Sequence, residues 1–184
     1  MTDRLRDASP HVLARMAGSL YLLSVVIAVL AEFFFRGKFG FVVAVVLPIS
    51  CYAAVTVLLY MIFRVVSKPV AVAAAVFNLA GLACEALELR TRGINIGMAS
   101  HGIFCVLIGF LMMRSTFLPR ILGVLMAFGG VVWLLYLSPP LVSRLSPYNT
   151  VAGLLGEALP MLWLMVMGVR SEGLKQPEQA AATS

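Results

Sequence analysis

Residues 12–35 read VLARMAGSLYLLSVVIAVLAEFFF, a run of 24 positions in which Arg15, near the start, and Glu32, near the end, are the ionisable side chains. Arg4 and Arg6 precede it and Val29-Leu30-Ala31 loosely resembles a cleavage site, so a secretory signal is the first alternative to weigh. A signal core occupies roughly 7 to 15 residues, and this run is well beyond that. It is instead the length of a membrane span, which takes about 20 apolar residues at about 1.5 Å of rise each.

The rest of the chain repeats the pattern. Apolar residues make up 61% of the 184 positions and charged ones 12%, against roughly 45–50% and 25% in an ordinary soluble domain. So few charges cannot cover a water-exposed surface. Spans are predicted over residues 12–35, 39–66, 69–89, 97–113, 118–137 and 151–169, giving an all-α integral membrane bundle of six transmembrane helices, up-and-down, with short loops. Gly37-Lys38, Ser67-Lys68, residues 90–93, residues 114–116 and the Pro-rich stretch 138–147 supply the breaks. Residues 1–170 form the transmembrane domain in this reading, and residues 171–184, poor in apolar side chains, form a disordered polar tail.

The fourteen Lys and Arg give a net charge of +6, but they stand singly or in pairs at the ends of apolar runs. That is the distribution of membrane anchors, and it argues against a nucleic-acid partner. Nine fall on the side of the two termini and five on the other, so both termini are expected in the cytoplasm. Cys51, Cys84 and Cys105 all lie within apolar runs without C-x-x-C spacing, which excludes a disulfide framework or zinc ribbon.

An ionisable group within a span costs roughly 2.5–3.5 kcal/mol at the helix centre, so each one demands an account. Asn78, Gly81, Glu85, Glu88 and Arg92 are spaced 3, 4, 3 and 4 and share an arc of roughly 80° on span three. Gly97, His101 and Cys105 share a face of span four, Gly153, Glu157 and Pro160 one of span six, and Pro48, Tyr52 and Thr56 one of span two. Glu32 and Glu88 stand four residues before Arg36 and Arg92, the order that forms surface ion pairs at helix ends. Glu85 and Glu157 have no such local cation and need a partner from another helix, a proton or a water-filled cavity.

The candidate ligand-binding residues are therefore Glu85, His101 and Glu157, with Glu88, Asn78 and Cys105 on the same faces. His101 and Cys105, one turn apart, could hold a soft metal if a carboxylate came from a facing helix, although no recognised metal signature is present. Trp133, Tyr136, Tyr148 and Trp163 read as belt or packing residues. Pro48 and Pro160 are each expected to break a backbone bond inside a span. Gly123, Ala127 and Gly130 form a stripe that would let another helix approach closely.

Residues 14–23 (ARMAGSLYLL), residues 111–123 (LMMRSTFLPRILG), and Leu155-Gly156-Glu157 followed by Leu162-Trp163-Leu164 together resemble the bacterial membrane-protein family called domain of unknown function 4386. The resemblance covers most of the chain and is most specific in Arg-Ser-x-Phe-Leu-Pro-Arg-x-Leu-Gly. It implies a multi-span protein of the bacterial inner membrane with a Glu at position 157, and it carries no activity with it. Longer members have a larger insert between the first two spans, which here is only a few residues.

Three classes of function compete. A binding or transport protein would use Glu85, Glu157 and His101 to line an outward-opening cavity for a small ligand, cation or lipid headgroup. An accessory subunit would use the bundle to join a homo-oligomer or a larger membrane complex. An intramembrane enzyme fits least, because no nucleophile, base and oxyanion-donor set can be assembled. The lipid bilayer is the partner common to all three.

Overall fold

The computed structural model describes residues 9–34, 45–87, 89–91 and 93–169. Its elements are α1 (Pro10–Phe34), α2 (Leu47–Phe63), α3 (Lys68–Ala86), a two-residue strand pair β1 (Arg90–Thr91) and β2 (Ile94–Asn95), α4 (Ile96–Arg114), α5 (Arg120–Leu134), α6 (Pro139–Leu145) and α7 (Tyr148–Met167). A 3₁₀ turn over Leu135–Leu137 extends α5. Each long helix packs against the next in sequence, and α7 returns to pack on α1. The six long helices thus form a closed ring, with the short α6 at one end between α5 and α7.

Among the described residues five helices are long and apolar enough to cross a membrane; α2, at 17 residues, is apolar but shorter. The predicted second span began at residue 39, and its first residues lie outside the described part. Two separators also differ from the sequence reading. Residues 90–91 pair antiparallel with residues 94–95, with Gly93 at φ +81° before the second strand, and residues 139–145 form a helix where a loop was expected. Proline explains the second: Pro139 and Pro140 occupy the first turn of α6, where a missing N–H breaks no bond. Pro48 stands in the first turn of α2, directly after a π-helical pair at residues 45–46. Pro160 does lie inside α7.

The outward faces are apolar at helical spacing. Val124, Phe128 and Val131 on α5 and Val151, Leu155, Leu159, Leu162 and Val166 on α7 are all exposed, as lipid contact requires and water would penalise. Lipid tails are as apolar as these side chains, so burial alone does not draw the helices together; close backbone approach and interhelical hydrogen bonds must. Glycine supplies the approach. A Cβ on Gly102 would lie 2.8 Å from the Gly130 carbonyl oxygen, and one on Gly109 would lie 2.6 Å from that of Gly123. These paired crossings, seven residues apart on each helix, set α4 and α5 antiparallel in one register. The predicted small-residue stripe of α5 therefore has α4 as its partner.

The ring closes in the same way. A Cβ on Gly18 of α1 would collide with the Met161 carbonyl oxygen of α7, and Arg15 Nε donates to the Met165 carbonyl at 3.1 Å. Caps fix the helix ends: the Asn95 side chain accepts from Met98 N–H at 3.0 Å to start α4, and Gly168, at φ +64°, ends α7.

Candidate functional site

The polar side chains that the apolar ring cannot leave in lipid converge at its centre. Glu157, on α7, is 2% exposed. Its Oε2 accepts from the Tyr52 hydroxyl of α2 at 3.0 Å. Its Oε1 accepts from the Trp133 indole N–H of α5 and from the Cys105 thiol of α4 at 3.4 Å, and lies 2.9 Å from His101 Nε2, also on α4. The Tyr21 ring of α1 packs edge-on against Tyr52, centroids 5.6 Å apart. A carboxylate far from any lysine or arginine in sequence thus finds its partners on other helices.

His101 is held from its other side by α3. Its Nδ1 is 2.9 Å from Asn78 Oδ1, and Asn78 Nδ2 donates to Thr56 Oγ1 at 2.6 Å. Thr56 Oγ1 in turn donates to the Tyr52 carbonyl at 2.9 Å. This chain fixes the protons. Thr56 spends its one hydrogen on the carbonyl, so it can only accept from Asn78; the Asn78 amide nitrogen therefore faces Thr56, and its oxygen faces His101. Nδ1 must carry a hydrogen, leaving Nε2 to face Glu157. There His101 Nε2 meets Glu157 Oε1 at 2.9 Å.

A cavity of about 210 Å³ opens beside this centre, lined by Tyr21, Tyr52, Glu85, His101, Trp133 and Glu157 among others. Glu85 Oε1 is buried and has no hydrogen-bond partner. The carboxylate fits because α3 and α4 cross at glycine: a Cβ on Gly97 would lie 2.6 Å from Glu85 Cγ and 2.9 Å from the Gly81 carbonyl oxygen. Glu85 and Met98 also line a second cavity, under the strand pair and α6, together with Asn95, Pro139 and Ser146. Glu85 stands between that second cavity and the His101–Glu157 centre.

Of the residues singled out in the sequence, Asn78, His101, Cys105 and Glu157 share one hydrogen-bond network, and Glu85 lines the adjoining cavity without joining it. Glu88 lies outside the described residues, as do Arg92, Arg36, the side chain of Glu32 and the tail 171–184. Of the two readings of Trp133, belt or packing, the second holds: it is 6% exposed within the core, and its N–H in addition donates to Glu157. Space for its indole comes from Gly153, where a Cβ would lie 2.7 Å from the ring. Trp163, at 38%, and Tyr148, at 78%, do face outward. Tyr52 and Thr56 share one face of span two with no role read from the sequence; no local signal names their partners, which lie 105 and 22 residues away respectively.

An all-α bundle with lipid-type outer faces and a buried polar centre is the architecture of a multi-pass membrane protein. The family model "Domain of unknown function (DUF4386)" matches residues 81–168, the segment that carries Glu85, His101, Cys105, Trp133 and Glu157. An uncharacterized protein of Archaeoglobus fulgidus is 30% identical over 138 residues, which is 69% of this chain and 83% of the relative. The chain belongs to the DUF4386 family. No solved structure matches it.

Proposed function

We propose that this is a six-span membrane protein, with α2 completing the sixth span and both termini in the cytoplasm, that binds a cation or the cationic headgroup of a lipid in its central cavity. The observation that carries this reading is the buried, unpartnered Glu85 oxygen in the cavity wall. A carboxylate oxygen out of water with no donor is costly, and a cationic ligand would supply what it lacks. The aromatic rings of Tyr21, Tyr52 and Trp133 in the same wall suit a cation as well.

Trp133 lines the cavity and reports on its occupancy. With Trp163 replaced by Phe, Trp133 emission in reconstituted bilayers should respond saturably to at least one of Na⁺, ethanolamine and Zn²⁺, or should differ between phosphatidylethanolamine and phosphatidylcholine bilayers. Glu85→Gln should weaken a response to Na⁺ or to the amine by about tenfold or more, the worth of a hydrogen bond to a charged group. Emission indifferent to every one of these in the parent protein would remove the cation reading.

The orientation has its own test. Ser146 is exposed beside the second cavity. In a background with Cys51 and Cys84 replaced by Ala, Ser146→Cys should react with a membrane-impermeant thiol reagent in intact cells, and Lys175→Cys should not. The opposite pattern reverses the topology.

A further inference from the structure

We propose that His101, Cys105 and Glu157 form a binding site for a borderline-soft divalent metal ion, Zn²⁺ in the first instance, with its fourth coordination position open to the cavity. The inference rests on the cation-binding reading and names the cation. One ligand atom from each of the three residues lies within 4.8 Å of the others. His101 Nε2 is 2.9 Å from Glu157 Oε1, and Cys105 Sγ is 3.4 Å from each of them. In a tetrahedral site with nitrogen and oxygen at about 2.0–2.1 Å and sulfur at about 2.3 Å, ligand atoms stand about 3.3–3.6 Å apart. The triangle therefore has to widen by only a few tenths of an ångström.

The surroundings of the three ligands matter as much as their spacing. Asn78 Oδ1 holds the Nδ1 hydrogen of His101 and so presents Nε2 as the donor atom, which is how an outer partner fixes the tautomer of a metal-bound imidazole. Tyr52 and Trp133 hold the Glu157 carboxylate. Every one of these outer bonds survives when a metal enters. Only the contacts among the three ligands themselves are replaced.

Charge closes as well. A thiolate, a carboxylate and a neutral imidazole carry −2 together and cancel a divalent ion, leaving a net-neutral site inside an apolar ring. The sulfur binds as thiolate, so the metal takes the place of the Cys105 thiol proton. The open position faces the cavity where Glu85 Oε1 stands unpartnered, within the wall that would accept a metal-bound water or a ligand.

The test is a Co²⁺ titration of the full chain in detergent. One Co²⁺ should bind per chain, with thiolate-to-cobalt charge-transfer absorption and displacement by stoichiometric Zn²⁺. Cys105→Ser should abolish the charge-transfer band in a protein whose melting matches the parent. Asn78→Leu, which touches no metal, should weaken binding roughly 10- to 100-fold. Folded protein that takes up no stoichiometric Co²⁺, or a band that persists in Cys105→Ser, overturns the metal site. If Trp133 then still responds to Na⁺ or to an amine, the cavity reading stands without the metal; if it responds to nothing, both fall.

Discussion

Glu157→Leu should be the most damaging single substitution in the molecule, lowering stability in mixed-micelle unfolding by about 3–5 kcal/mol, the cost of leaving two buried donors without their acceptor. Glu157 joins α7 to α2 through Tyr52, to α4 through His101 and Cys105, and to α5 through Trp133. Interhelical hydrogen bonds in membranes average about 0.6 kcal/mol each, so their sum alone, near 2 kcal/mol, is the lower bound. The larger figure applies because the loss is asymmetric. Leucine leaves the Trp133 N–H and the Tyr52 hydroxyl buried without an acceptor, and His101 Nε2 loses its partner.

Glu157→Gln separates volume from chemistry. Gln fills the same space and can still accept from Trp133, but the Thr56–Asn78 chain keeps a hydrogen on His101 Nδ1. With the amide oxygen in the Oε1 place, Nε2 either takes a second hydrogen, creating a buried cation without a counter-ion, or points a lone pair at that oxygen; with the amide nitrogen there, Nε2 gains a donor but the Trp133 N–H loses its acceptor. The Gln protein should therefore lie between the parent and Glu157→Leu. A Gln protein as stable as the parent would show that the His101–Glu157 pair adds nothing beyond packing.

Substitutions at the glycine crossings give the second large effect. A Cβ at Gly109 would sit 2.6 Å from both the Ala127 nitrogen and the Gly123 carbonyl oxygen. Both are backbone atoms, so α4 and α5 must move apart along the whole crossing. Gly109→Ala is expected to cost about 1–3 kcal/mol from overpacking, despite a gain of up to about 1 kcal/mol in helix propensity. Gly129→Ala is the internal control. There the nearest atoms are 3.1 and 3.3 Å away, the neighbours need give only slightly, and propensity offsets the strain, so stability should change by less than about 1 kcal/mol. Equal losses at the two positions, in parallel unfolding measurements, would show that close approach is not what holds α4 to α5.

Length and apolar patterning determine the bundle: each run is long enough to satisfy its own backbone as a helix, and that property is local. Element ends were less legible. The strand pair of residues 90–91 and 94–95 and helix α6 depend on Gly93 and on prolines whose first-turn placement emerges only once the neighbouring helices stop. The site was half legible for the same reason. Helical spacing put His101 and Cys105 on one face and Asn78 with Glu85 on another, and the absence of a nearby cation required Glu157 to find a partner on a different helix.

Which partner it found is a tertiary matter. The depth at which Trp133 meets Glu157 is set by the Gly102–Gly130 and Gly109–Gly123 crossings and by the cleft at Gly153. The meeting of Tyr52 with Glu157 also requires α7 to return onto α1 at Gly18. A periodic sequence specifies the angle of a side chain about its own helix axis. It leaves open the axial register between helices, and a hydrogen bond of about 3 Å is decided by that register.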